Sequence, residues 1–205
     1  MVLLESTQLG HSPFIISYCN DLRKFIEPAV IDKIEPMFHY LMDTSAEFTR
    51  KNCKFPQPCT PLFLVNHITR LIDTFINRYR PKNKEDENDE EVPQNINERL
   101  NNALVFATIW GIGGAIDETT RERFDQFLQE LIQGENVIEK YKLDMEADQK
   151  HDPIKLPVKI GDCKSLFDMS YDPEENRWVN WLVTVPKYIV NRDDTFLQLS
   201  IPTID

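Results

Sequence analysis

Histidines at positions 11, 39, 67 and 151 and cysteines at 19, 53, 59 and 163 are the side chains of this sequence best suited to metal or nucleophilic chemistry. A zinc site draws on such residues at short, regular spacing, and thiol catalysis needs a cysteine held against a base. Neither spacing occurs. No CxxC pair is present, and Cys53 and Cys59 flank "KFPQP", with two prolines between them. His39 and His67 fall on separate long helical patterns and could face each other, but nothing in the spacing ties a cysteine to either. The acid pairs Glu90–Glu91 and Glu174–Glu175 lie in polar, turn-rich stretches, where carboxylates are solvated rather than set up for general acid–base work. Arg99, Arg121 and Arg123 have the planar fork that grips a phosphate, and ion pairing with neighbouring acids is the plainer role for them on so acidic a chain. The glycines of "GIGG", residues 111–114, lack the GxxxxGK[ST] frame of a phosphate loop and sit between two helical patterns, so they read as a turn.

These residues have to be positioned by helices. A short helical stretch covers 14–27. From Pro28 to 52 the apolar positions Ile31, Ile34, Phe38, Leu41, Met42 and Phe48 recur at steps of three and four, the signature of one buried helix face. Pro36 falls inside that pattern and predicts a kink or restart. Thr60 caps the next helix, with Pro61 in its first turn and Val65, Ile68, Leu71, Ile72, Phe75 and Tyr79 as its stripe. A third helix over about 94–112 carries Leu104, Val105, Phe106, Ala107, Ile109 and Trp110 with almost no polar face, so it is expected to be buried on all sides. The glycines would close it with a left-handed turn. Thr119 with Glu122 then reads as a capping box for a helix bearing Phe124, Phe127, Leu128 and Leu131.

Elsewhere the patterns change. "MVLLE" reads as a strand without a partner nearby. Residues 80–93 are low in complexity, with six acids between 82 and 91, and read as a disordered loop. "EADQKHDPIKLPVKIGD" reads as a charged linker. "SLFDMSY" and "NRWVNWLV" flank "DPEEN" as a β-hairpin, with Trp178 and Trp181 as anchors.

Composition sets the outer limits. Across 205 residues, 41% are hydrophobic, twelve of them Phe, enough for a sizeable core. A net charge of −11 argues against binding nucleic acid or an anionic membrane, both of which attract clustered Lys and Arg. The acid at position 5 interrupts any secretory leader, no apolar run reaches membrane-spanning length, and reduced thiols in cytosol-like surroundings are the expectation.

Four blocks, in order along the chain, resemble dynein heavy chains. "MVLLESTQLG" is similar to the passage closing the large domain of the second AAA+ module. "ALVFATIWGIGGAIDETTRERFDQFLQEL" resembles the helix pair that follows it, including the Arg–x–x–Phe–Asp step of "RERFDQF". "RWVNWLVTVPKYIV" matches paired tryptophans followed by Pro–x–Tyr, and "FLQLSIPTID" resembles the approach to the third module. Where the family usually has Trp after Leu-Gly, this chain has His11, and the acidic loop at 82–91 looks like an insertion.

The resemblance implies a mainly α fold: a helical bundle serving as an AAA+ lid, a C-terminal β-hairpin, and the start of an α/β AAA+ large domain. Residues 1–12 would be the last strand and exit loop of the preceding large domain, 13–135 the lid, 136–164 a linker, and 165–205 the hairpin and the approach to the next large domain. Ile201, Pro202 and Thr203 would line the adenine side of the next module's pocket, and Arg99 would be a lid arginine reaching the phosphates of the second. Phe106 and Trp110 would be packing residues. The parent motor would use ATP, ADP and Mg, none of it held by this segment alone, which has no Walker motif and is expected to hydrolyse nothing. Partners would be neighbouring AAA+ modules of the same heavy chain, with intermediate chains, light chains and microtubules in the parent complex, in the cytoplasm and cytoskeleton and, from the flavour of the sequence, the ciliary axoneme. The contrasting expectation is an independent helical adaptor without nucleotide, which would fold alone without large sticky faces.

Overall fold

The computed structural model describes residues 10–81, 91–146, 149 and 151–185. The strand expected at "MVLLE", most of the acidic loop, "PKYIV" and the segment holding Ile201, Pro202 and Thr203 lie outside them. Five substantial helices, α1 (Ser12–Leu22), α2 (Pro28–Asn52), α3 (Pro61–Ile76), α4 (Ile96–Gly113) and α5 (Glu118–Gln133), precede a short α6 (Val137–Lys140). A 3-10 turn (Leu166–Asp168) leads into an antiparallel hairpin of β1 (Met169–Asp172) and β2 (Arg177–Asn180), followed by α7 (Trp181–Thr184). The protein is mainly α with one hairpin near the C-terminus.

Each helix starts where local chemistry allows. The Thr60 hydroxyl accepts the Phe63 N–H at 3.3 Å, and Pro28 and Pro61 occupy first-turn positions that need no donor. The cap of α5 differs from the expected Thr119–Glu122 box. Asp117 carries it, accepting the Thr119 N–H at 2.9 Å and the Thr119 hydroxyl at 2.5 Å. A carboxylate there also suits the positive end of the helix dipole. The helix stops at Gly134, whose φ of +80° is the left-handed conformation. The Glu135 N–H reaches the Glu130 carbonyl and the Gly134 N–H that of Leu131, a Schellman ending.

Helix α2 runs unbroken through Pro36. Pro36 lies on the exposed face, so the hydrogen bond it removes is on the solvent side and α2 needs no restart.

Helix α4 is the axle of the bundle, packed between α2, α3, α5 and the hairpin. Its buried face extends from Ile96 to Gly113, but it is not buried on all sides as expected: Trp110 is 38% exposed. The glycines at its end also depart from expectation, because Gly113 is still helical and Gly114 has a φ of −66°. They serve close approach. A Cβ on Gly111 would lie 3.2 Å from the Ile68 backbone nitrogen, and one on Gly113 only 2.4 Å from the Phe167 ring.

Opposite, α2 meets α5 through aromatic rings. Phe48 and Phe127 stack at 3.9 Å between centroids, and Tyr141 meets Phe48 edge-on at 5.0 Å. Within the stretch expected as a linker, Leu143, Met145 and Leu156 are buried, and the Leu156 N–H bonds the Ile132 carbonyl at 3.0 Å.

Candidate functional site

The most elaborate polar and aromatic arrangement joins the hairpin to α3 and α4. The hairpin turn is built locally. The Asp172 carboxylate accepts the N–H groups of Glu174 at 2.9 Å and Glu175 at 3.3 Å, and Asn176 takes a φ of +50°, which asparagine tolerates better than most residues. Register then sets Tyr171 opposite Trp178, which puts both rings on the face turned towards the bundle. There Phe75 meets Tyr171 and Phe106 at 5.4 Å each, and Phe106 meets Trp178 at 6.2 Å.

Within this aromatic patch the polar groups pair. The Trp178 indole donates to the Asn102 side-chain carbonyl at 2.8 Å, and the Asn102 amide donates to the Asn176 carbonyl oxygen at 3.2 Å. The Tyr171 hydroxyl donates to that same oxygen at 2.9 Å. Asn102 is buried in the middle of α4, so these bonds satisfy an amide that would otherwise cost desolvation. Arg99, one turn earlier, donates to the Pro173 carbonyl and, at 3.0 Å, to Asn95. Arg78 pairs with Glu174 at 2.6 Å.

A second contact precedes the hairpin. Phe167 sits against Gly113, meets Trp110 edge-on at 5.5 Å, and has the Arg121 guanidinium 5.5 Å above its ring. The buried Asp125 carboxylate accepts the Leu166 N–H at 2.7 Å and so ties this turn to α5. Burial pushes that carboxyl above its usual range, although the Leu166, Ser165 and Gln129 donors pull it down.

Of the side chains suited to reaction, His11 and His151 meet on Asp43, at 2.5 and 2.7 Å. Burial pushes the Cys19 thiol up to about 12 and that of Cys53 to about 11, far from the thiolate form, and only partly opposed at Cys53 by Arg123. Among the described residues no group of three or more His, Cys, Asp or Glu could hold a metal ion. His67 lies against Phe63 with the rings tilted, centroids 4.0 Å apart, while His39 belongs to the surroundings of Asp43. Arg121 directs its guanidinium to the Ile116 carbonyl and the Phe167 ring. Glu174 and Glu175 each meet an arginine, Arg78 and Arg177. Among the described residues no helix is long and apolar enough to cross a membrane. The key polar residues of the hairpin contact, Asn102 and Asn176, were not among the sequence candidates; the one signal for Asn102 is its place immediately before the apolar run that starts at Ala103.

The family model of the dynein heavy chain AAA lid domain matches residues 34–183, from within α2 through α6 and the hairpin. The chain belongs to this family. It is 29% identical over 139 residues, 65% of its length, to dynein axonemal heavy chain 3 of Mus musculus. It is 24% identical, over its whole length, to dynein axonemal heavy chain 1 of Mus musculus and to the dynein-1-alpha heavy chain of the flagellar inner arm I1 complex of Chlamydomonas reinhardtii. It spans only 3–5% of the length of these three relatives. No solved structure matches it. As an AAA lid with the hairpin built into the same family unit, the chain is a structural segment of a dynein motor ring.

Proposed function

We propose that this lid carries motion between two modules of an axonemal dynein ring, and that the hairpin docked on α4 is the transmitting surface. The observation that supports this reading is the Trp178–Asn102–Asn176 connection, which fastens the hairpin to the most buried helix of the lid. A hairpin of two four-residue strands is too small to hold its shape alone, so its orientation follows the helix that holds it. Small rotations of the lid then become rigid-body displacement of whatever the hairpin continues into.

In this reading the lid belongs to the second AAA+ module and the hairpin opens the third. ATP and Mg are used by the parent heavy chain to drive movement along microtubules, and the segment itself hydrolyses nothing. Its immediate partners are the neighbouring AAA+ modules, and intermediate and light chains join in the assembled complex. The setting is the cytoskeleton of the ciliary or flagellar axoneme, in line with the names of the relatives. Ile201, Pro202 and Thr203 line the adenine side of the next pocket. Arg99 anchors the hairpin, and reaching a phosphate of the preceding module would require it to release Pro173.

The test is made in a heavy chain that carries this segment. Asn102→Ala combined with Trp178→Phe leaves ATP turnover largely intact and lowers microtubule gliding velocity several-fold. Gliding at the normal velocity with that double substitution would rule the coupling out.

A further inference from the structure

Away from the hairpin, a groove lies between α5 and the strap of residues 151–165 that leads to the 3-10 turn. Three ties fix the two walls. The Leu156 N–H bonds the Ile132 carbonyl at 3.0 Å, the Gln129 amide reaches the Lys164 carbonyl at 3.5 Å, and the Leu166 N–H meets the Asp125 carboxylate at 2.7 Å. The strap therefore runs antiparallel to α5. Gly134 lets it come close, since a Cβ there would lie 2.8 Å from the Lys155 nitrogen. The cavity between the ties measures about 440 Å³. Gln129, Ile132 and Gln133 line it from α5, and every residue of 158–163 lines it from the strap, together with Leu166.

Two kinds of group on the strap are left without a partner. Among the described residues, no backbone N–H or C=O from Pro157 to Cys163 is hydrogen-bonded to protein. Each is a strong donor or acceptor that a second main chain can satisfy. Lys155, Lys159 and Lys164 are exposed and form no ion pair among the described residues, whereas Lys51 and Lys140 are paired with Asp144 and Glu130. Asp162 is the one acid in the span from Lys155 to Lys164. The α5 acids nearby in sequence are engaged elsewhere, Glu130 by Lys140 and Tyr141 and Asp125 by the Leu166 N–H. On a chain of net charge −11 this strap is locally basic.

We infer that this groove receives an extended acidic segment of another polypeptide chain. Main-chain bonds to the strap supply the affinity, and side chains that alternate along an extended segment supply the selectivity. One set of those side chains meets the apolar surface of Ile132, Val158, Ile160 and Leu166. The other set faces the exposed lysines, where carboxylates are favoured and cations are repelled. The side-chain amides of Gln129 and Gln133 can both donate and accept, so they suit a peptide backbone on the opposite wall. Gly161 takes a φ of +84° with open space where a Cβ would be, so a second chain can approach the strap closely there. The inference does not rest on the coupling reading: gliding velocity tests that one and peptide binding tests this one.

The experiment is fluorescence anisotropy on a heavy-chain motor that carries this segment, with a short labelled peptide of alternating glutamate and valine as the probe. The peptide binds, and binding weakens as salt is raised. A peptide of alternating lysine and valine does not bind, nor does the acidic peptide with its backbone amides methylated. Lys159→Glu combined with Lys164→Glu weakens binding by about tenfold, while Lys33→Glu on the exposed side of α2 leaves it unchanged. If the reversed pair disturbs the fold, Lys159→Gln with Lys164→Gln puts the same question and lowers affinity in the same direction. No binding, binding that is indifferent to the lysine substitutions, or equal binding of the lysine peptide overturns the inference. Self-association of the motor that the same substitutions abolish would assign the groove to a second copy and overturn it as well.

Discussion

The α2–α5 contact and the α4–hairpin contact are both rich in aromatic rings, yet they hold together by different means. Between α2 and α5, Phe48, Phe124 and Phe127 pack with less than 2% of their surfaces exposed and make no polar connection. Between α4 and the hairpin, rings pack at the edges of an amide pair of buried Asn102 and half-buried Asn176, and Trp178 and Tyr171 each spend their polar atom on that pair. Apolar packing is non-directional and sums over area. Hydrogen bonds through Asn102 and Asn176 fix one orientation. The first contact supplies stability. The second sets the angle at which the hairpin leaves the lid, which is what a transmitting surface requires.

The largest break is expected on the apolar side. Phe127→Ala removes a stacked ring from the centre of the bundle and costs about 3–5 kcal/mol, read as a lowered midpoint of chemical denaturation with hairpin and helices lost together. Next is Gly113→Ala, whose new methyl group collides with Phe167. Moving that ring costs about 1–3 kcal/mol and disturbs its edge-on contact with Trp110, visible as a change in near-ultraviolet circular dichroism. Asn102→Ala leaves the Trp178 indole without its acceptor and Asn176 with only the Tyr171 hydroxyl, and costs about 1–3 kcal/mol, confined to the hairpin if the comparison holds.

Two smaller effects sharpen the contrast. A carboxyl raised in the fold binds its proton more tightly there than in the unfolded chain. Stability from Asp125 is therefore full at acid pH and declines as pH climbs from the ordinary carboxylate range through the raised one. Asp125→Asn flattens that decline in melts run across this window; an unchanged slope would place its cause elsewhere. The smallest effect is that of Arg78→Gln, which weakens an exposed pair with Glu174 by less than about 1 kcal/mol, a loss that moderate salt erases.

The same division explains what could be read from the residues. Helices α2 to α5 were legible because burial at steps of three and four is written locally, and Thr60 and Pro61 mark a start. The hairpin was legible from its alternation around "DPEEN". Pro36 misled because a helix tolerates a missing bond on its wet face. The "GIGG" turn misled because glycine meets two needs, positive φ and close approach, and only the partners Ile68 and Phe167 show which applies. Asn102 and Asn176 are separated by 74 positions, His11 and Asp43 by 32, and Asp43 and His151 by 108. No periodicity encodes such meetings, because the fold creates them. The cap on α5 fell to Asp117 rather than Thr119 because a carboxylate two residues earlier satisfies both the Thr119 N–H and its hydroxyl.

The central claim is that bundle and hairpin move as one body. Spin labels at Gln126 on α5 and Glu175 in the hairpin turn, both exposed, report it directly by pulsed electron–electron distance measurement in the motor with and without nucleotide. A single narrow distance, unchanged by nucleotide and broadened by Asn102→Ala, is the predicted result. A distribution already broad in the unsubstituted protein, or a distance that shifts with nucleotide, would contradict the account.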